Sequence, residues 1–222
     1  MTKRIPLSQR TLPAYSRGEE IMNMTTHIAG GALAVVVLLL CLSGTRGIAA
    51  VSCGIYGAAM LAVYTVSSVY HGLLPGMGKK VMQVVDHCAI YFLIAGTYTP
   101  ILLCAILPHY PAIGWGLLAA QWVLCFLAAA LTAIDLKKYS AFSMVCYICM
   151  GWGIMAFPRQ AWLSIGRPGF LWLLAGGIAY TAGAILYGIG AKKRWMHSVF
   201  HIFVVLGSLL QFLSIYLHIL DL

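Results

Sequence analysis

Seven apolar stretches follow one another with breaks of only a few residues, and each is about as long as a bilayer is thick. A helix rising about 1.5 Å per residue needs ~20 apolar residues to cross the hydrocarbon layer. By that rule the spans fall at 25–43, 47–73, 81–107, 111–134, 139–157, 169–190 and 196–219. The breaks include Gly44 to Gly47, Pro75 to Lys80, Pro108 to Pro111, Asp135 to Lys138, Pro158 to Pro168 and Lys192 to Arg194, and each carries the Gly, Pro or charge that ends a helix. Only 9% of the 222 residues are charged while 62% are hydrophobic, too little charge for an ordinary soluble domain. The expectation is an all-α integral membrane protein: a cytoplasmic N-terminal segment over 1–24, then a seven-transmembrane helix bundle over 25–222. The first 20 residues are polar and basic, without the apolar core of a cleaved signal peptide.

Lys and Arg set the direction. Eleven of the basic residues fall in the N-terminal segment and the second, fourth and sixth loops, against three (Arg46, Arg159, Arg167) on the other side. The bias toward positive cytoplasmic loops then puts the N-terminus in the cytoplasm and the C-terminus outside. The same bias accounts for the net charge of +9 without a nucleic-acid partner.

Orientation gives the polar residues inside the spans a common depth. The second span runs inward, so Ser67 and His71 lie at its cytoplasmic end; the third and seventh run outward, so Asp86, His197 and His201 lie within their first turns. His197 and His201 are four residues apart and share a helix face, as do Ser67 and His71. Asp86 is the only acidic residue inside a span, and an ionisable group at that depth marks function by default. Three neutral imidazoles with one position left for an exchangeable oxygen form the zinc pattern of catalytic rather than structural sites. Glu20, Asn23 and His27 make a polar stripe on one face at the start of the first span, which reads either as an outer shell that tethers loops or orients a ligand histidine, or as the plain polarity of a helix entry. Ser16 and Glu19 offer a capping box for that helix.

Other polar residues read more plainly. His109 and His218 belong to the opposite side, and His87, next to Asp86, faces about 100° away from it and reads as packing or outer support. All seven cysteines lie in apolar runs, including the pair Cys146 and Cys149, and read as small buried hydrophobes rather than disulfides. Gly30, Gly31, Gly176, Gly177, Gly183 and Gly188 mark close helix contacts.

Four blocks in order, "EEIMNMTTH" (19–27), "SSVYH" (67–71), "DHCAIYFLIAGTYTP" (86–100) and "HSVFH" (197–201), resemble the signatures of the bacterial hemolysin III family. That family belongs to the progestin and adipoQ receptor group, which is similar to the alkaline ceramidases. The resemblance implies seven membrane helices with zinc near the cytoplasmic face, held by His71, His197 and His201. In that pattern Asp86 holds a water beside the metal and Ser67 lies next to it. One departure is visible: many bacterial members carry a further His where this chain has Gln211.

The resemblance also implies a role in membrane-lipid and fluidity homeostasis, and three functions are weighed. Zinc chemistry on a lipid amide or ester would make the protein a ceramidase-like hydrolase, with lipid reaching the site sideways between helices. A zinc-locked bundle that senses the state of the bilayer is the non-enzymatic alternative. A cytolytic or pore-forming protein is the third, though no span carries the continuous charged stripe of a channel.

Overall fold

The capping box sets where the first helix begins. Ser16 Oγ accepts from the Glu19 backbone N–H, and the Glu19 carboxylate accepts the Ser16 N–H at 2.9 Å. Helix α1 therefore runs Arg17–Gly44, starting eight residues before the expected span, because the cap and not hydropathy decides its start. The computed structural model describes residues 6–190 and 193–220. Lys3, Arg4 and Lys192, used in the charge count, and Asp221 lie outside the described residues.

The other elements are α2 (Gly47–Gly72), α3 (Met77–Pro100), α4 (Pro111–Ile134), α5 (Ser140–Gly151), α6 (Pro158–Gly190) and α7 (Met196–His218), with no strand among the described residues. Pro100 has no N–H to offer the turn below it. The helix continues past it as a π-helical stretch over Ile101–Ile106, where Leu107 N–H reaches the carbonyl of Leu102, five residues back. The break expected from Pro158 to Pro168 is narrower than predicted. Its residues are helical except at Gly166, where φ of +74° splits α6 into a short leading helix and a long one.

Six helices are long and apolar enough to cross a membrane: α1, α2, α3 with its π-helical extension, α4, α6 and α7. The fifth apolar element is shorter, 12 residues of α5 followed by a 3-10 turn over Gly153–Ala156. Its end is held from inside. Tyr98 Oη donates to the carbonyl of Gly151 at 2.8 Å and accepts from Ile154 N–H at 2.9 Å, and Gln121 Nε2 donates to the carbonyl of Met150.

Sequence neighbours run antiparallel. Gly30 packs on Tyr64, Leu38 on Gly57, Gly96 on Ala59, Gly176 on Gln211 and Gly183 on Phe203. At Gly30, Gly176 and Gly183 an added Cβ would come within 2.5–2.7 Å of a neighbouring side chain, so these are the close helix contacts expected. Gly31 and Gly177 have only ordinary contacts and Gly188 none; the glycine count of α6 overstated its packing. The first and last helices, in contrast, run side by side in the same direction. Glu19 meets Trp195, Asn23 meets Ser198 and His201, and His27 meets His201. The cysteines are all free; four are buried and Cys149 faces outward.

Candidate metal centre

Three helix ends converge where α1 and α7 begin and α2 finishes. Glu19 fixes two of them at once: beside its capping role, its Oε1 accepts the backbone N–H of Trp195 at 2.7 Å. Trp195, in the left-handed conformation (φ +68°), is the N-cap of α7. This bond sets the depth of α7 against α1 and so the height of His197 and His201. The end of α2 is held by Lys79 from the first turn of α3, whose ammonium donates to the carbonyls of His71 and Leu73, where the helix dipole favours a cation.

The histidine rings meet through their Nε2 atoms. His197 Nε2 lies 3.3 Å from His71 Nε2 and 3.1 Å from His201 Nε2, and the ligating atoms of all three lie within 4.8 Å of one another. The tautomers follow from the partners. His71 Nδ1–H donates to Glu20 Oε2 at 2.6 Å, and His201 Nδ1–H donates to the backbone carbonyl of Asn23 at 3.2 Å. In the neutral rings this leaves both Nε2 atoms as bare lone pairs, crowded together without enough protons to bond one another. A tetrahedral zinc with Zn–N bonds of about 2.0–2.1 Å would set its nitrogens roughly 3.3 Å apart. The two short separations fit that spacing, and the cluster can hold a metal ion.

The surroundings are specific. Glu20 also takes the Lys79 ammonium at 2.8 Å, so its charge is shared between a histidine and a lysine. Asn23, fully buried, accepts from Ser198 Oγ at 2.6 Å through its side-chain oxygen. His27 stacks on His201 with ring centroids 3.7 Å apart and lacks any hydrogen bond to its nitrogens. His197 is held otherwise: its Nδ1 is buried without a hydrogen bond, and Tyr15 lies face-on at 4.9 Å. Burial, and then the neighbouring Tyr187, push the Tyr15 phenol well above its ordinary pKa, so it is neutral.

A cavity of about 640 Å³ opens beside the cluster. Its wall includes His27, His197 and His201 together with Asp86 and Ser67, which lie against each other from α3 and α2. Further along it is mainly apolar, with Val63, Ile90, Leu93, Ile148 and Val204, and it runs to Trp152 and Gln211. Gln211 stands nearly three turns up α7 from His201. Both α5 and α6 contribute to the cavity wall, and Trp152 Nε1 is bonded to Thr181 Oγ1 at 2.9 Å near the far end.

The structure thus brings Ser67, His71, Asp86, His197, His201, Glu20, Asn23 and His27 to one place. His109 and His218 lie at the other end of the bundle, and His87 bonds the Gln83 carbonyl of its own helix while also lining the cavity. Sequence reasoning missed Tyr15, Lys79 and Ser198. Lys79 had a signal, a lysine just past a helix C-terminus, but was counted only as loop charge. Tyr15 had none.

Fold and site define a helical, multi-pass membrane protein with a buried three-histidine cluster facing an internal cavity. Residues 15–212 match the family described as "Haemolysin-III related", and the chain belongs to that family. It is 34% identical over 207 residues to "Hemolysin-3" of Bacillus cereus, covering 91% of this chain and 92% of that protein. It is also 34% identical over 201 residues to the "Hemolysin-3 homolog" of Bacillus subtilis (strain 168), covering 89% and 92%. A more distant likeness, 25% over 174 residues, is to the human "Monocyte to macrophage differentiation factor", covering 73% of this chain and 68% of that protein.

Proposed function

We propose that the protein is a zinc-dependent hydrolase of a membrane-lipid amide or ester, acting in lipid and fluidity homeostasis in the bacterial inner membrane. His71, His197 and His201 hold the metal, Asp86 is the general base and Ser67 orients groups beside it. The observation that carries this reading is the convergence of three histidines, with His197 Nε2 at 3.3 and 3.1 Å from the other two Nε2 atoms, beside a cavity that also presents a carboxylate. A purely structural metal would not need that opening.

Bound zinc would lower the pKa of water and polarise a carbonyl. The residues do the rest. Glu20 and the Asn23 carbonyl fix two ring tautomers so that each Nε2 faces inward. Asp86 takes a proton from a water in the cavity and returns it to the leaving group. The apolar length of the cavity suits an acyl chain, and a lipid would arrive sideways from the bilayer between helices.

The seven-span count, though not the side on which the N-terminus lies, has its own support. Helices α1 and α7 run in the same direction, which requires an odd number of crossings between them. Helices α2, α3, α4 and α6 supply four; α5 with its 3-10 turn supplies the fifth.

The test is metal content of the purified protein. About one zinc per chain is expected, reduced in His71→Ala, His197→Ala and His201→Ala and unchanged in His109→Ala and His218→Ala. Full zinc retention in the double variant His197→Ala/His201→Ala would sink the proposal.

A further inference from the structure

The segment ahead of α1 lies across the histidine end of the cavity. Residues 9–13 form part of the cavity wall together with Asp135, Leu136 and Lys137. Contacts along the segment fasten it to the bundle. Arg10 Nη2 donates to the Ile134 carbonyl at 3.1 Å and lies 3.9 Å from Asp135 Oδ1, at the C-terminal end of α4. Lys80 Nζ donates to the Ser8 carbonyl at 2.5 Å. At its other end Tyr15 stacks on His197, interplanar angle 15°.

That last contact falls on the one histidine of the cluster that lacks a hydrogen bond at Nδ1. His71 and His201 are oriented by Glu20 and by the Asn23 carbonyl. His197 has aromatic neighbours instead: Tyr15 face-on, with Tyr187 tilted at 5.3 Å. A ring free of hydrogen bonds at its outer nitrogen can swing about χ1 and χ2 once its stacking partner leaves. These fastenings are polar contacts, including an ion pair whose side chains are only 11% and 7% exposed, and none belongs to the helix-on-helix packing, so the segment can open without unfolding the bundle.

We propose that residues 7–16 are a strap closing the polar mouth of the cavity, and that Tyr15, carried on it, is a positioning residue for His197. Opening the strap admits water and polar groups and loosens one histidine of the cluster in the same motion. The positioning half of this inference rests on the metal reading; the closing half does not.

Two measurements on the full-length protein in detergent micelles separate them. The first is the rate at which a polar, bulky maleimide labels Gln83→Cys, a cavity-wall position on α3, with the unsubstituted chain as background. Arg10→Ala should raise that rate severalfold; an unchanged rate overturns the strap. The second is the rate of zinc transfer to excess chelator. Tyr15→Ala should accelerate it roughly 10-fold or more, the scale of losing a residue that orients a ligand, while Tyr15→Phe, which keeps the ring, stays within about twofold. Equal rates in Tyr15→Ala and wild type overturn the positioning role. If the wild-type protein binds no zinc, the positioning role falls with the metal reading, and the labelling result alone decides the strap.

Discussion

Glu20 Oε2 lies 2.6 Å from His71 Nδ1, and the other oxygen of the same carboxylate lies 2.8 Å from Lys79 Nζ. One carboxylate from the first turn of α1 thus reaches a histidine on α2 and a lysine on α3. It fixes the His71 tautomer so that Nε2 faces the other two histidines. Lys79 in turn keeps the carboxylate charged and caps the end of α2.

Glu20→Gln keeps the size of the side chain but replaces a charged acceptor with a neutral one. Zinc affinity should fall about 10–100-fold, measured by competition with a chelator of known affinity. Lys79→Met should do less to affinity and more to the fold, because it leaves Glu20 Oε1 and the carbonyls of His71 and Leu73 without the ammonium that bonds them. A loss of about 1–3 kcal/mol is expected, read as a lower Tm. Equal zinc affinity in Glu20→Gln and wild type would remove Glu20 from the site.

The close contact of α1 with α2 predicts a steric effect away from the histidines. A Cβ at Gly30 would lie 2.5 Å from the Tyr64 ring. Tyr64 cannot easily yield, since its hydroxyl donates to Ser208 Oγ at 2.7 Å in the middle of the bundle. Gly30→Val should destabilise the protein by about 1–3 kcal/mol, while Gly188→Ala, facing open space, should leave the Tm near wild type. Thermal melts in detergent decide it; no difference between the two would mean that α1 and α2 pack less tightly than described.

Direction in the membrane is tested at the chain ends. With seven crossings and a cytoplasmic N-terminus, alkaline phosphatase fused after Leu222 should be active in a bacterial host and green fluorescent protein there should stay dark. Bright fluorescence from the C-terminal fusion would make α5 a non-crossing element or invert the bundle.

What could be seen in the sequence was whatever repeats at the period of a helix or fits the width of a bilayer. Apolar runs placed the helices, Ser16 and Glu19 announced the α1 cap, and the four-residue spacing of His197 and His201 put both rings on one face. Hydropathy placed the start of α1 too late because the polar stripe from Glu19 to His27 is helical yet looks unlike a membrane segment. The same blindness treated Pro158 to Pro168 as a break, where the local conformation at Gly166 alone interrupts the helix. Contacts made across the whole chain, such as Tyr15 on His197 or Glu19 on Trp195, have no signal in local periodicity.

The last prediction separates a catalyst from a metal-locked sensor. Asp86 is buried on α3, lies against Ser67, and shares the cavity wall with His197 and His201. It is absent from the group of residues whose ligand atoms converge, so Asp86→Asn should leave zinc content near wild type. The amide keeps the size of the carboxyl but cannot take a proton. Lipid hydrolase turnover should therefore fall by roughly two to four orders of magnitude, the usual range for a lost general base. Ser67→Ala should cost much less, because the hydroxyl lies beside Asp86 but is not the group that takes the proton. The measurement is lipidomics of a deletion strain complemented with wild type, Asp86→Asn or Ser67→Ala, alongside turnover of ceramide-like amides and esters by the purified proteins. If the Asp86→Asn strain reproduces the wild-type lipid profile with zinc bound, the carboxylate is not a base, the hydrolase reading fails, and the cluster is the lock of a bilayer sensor.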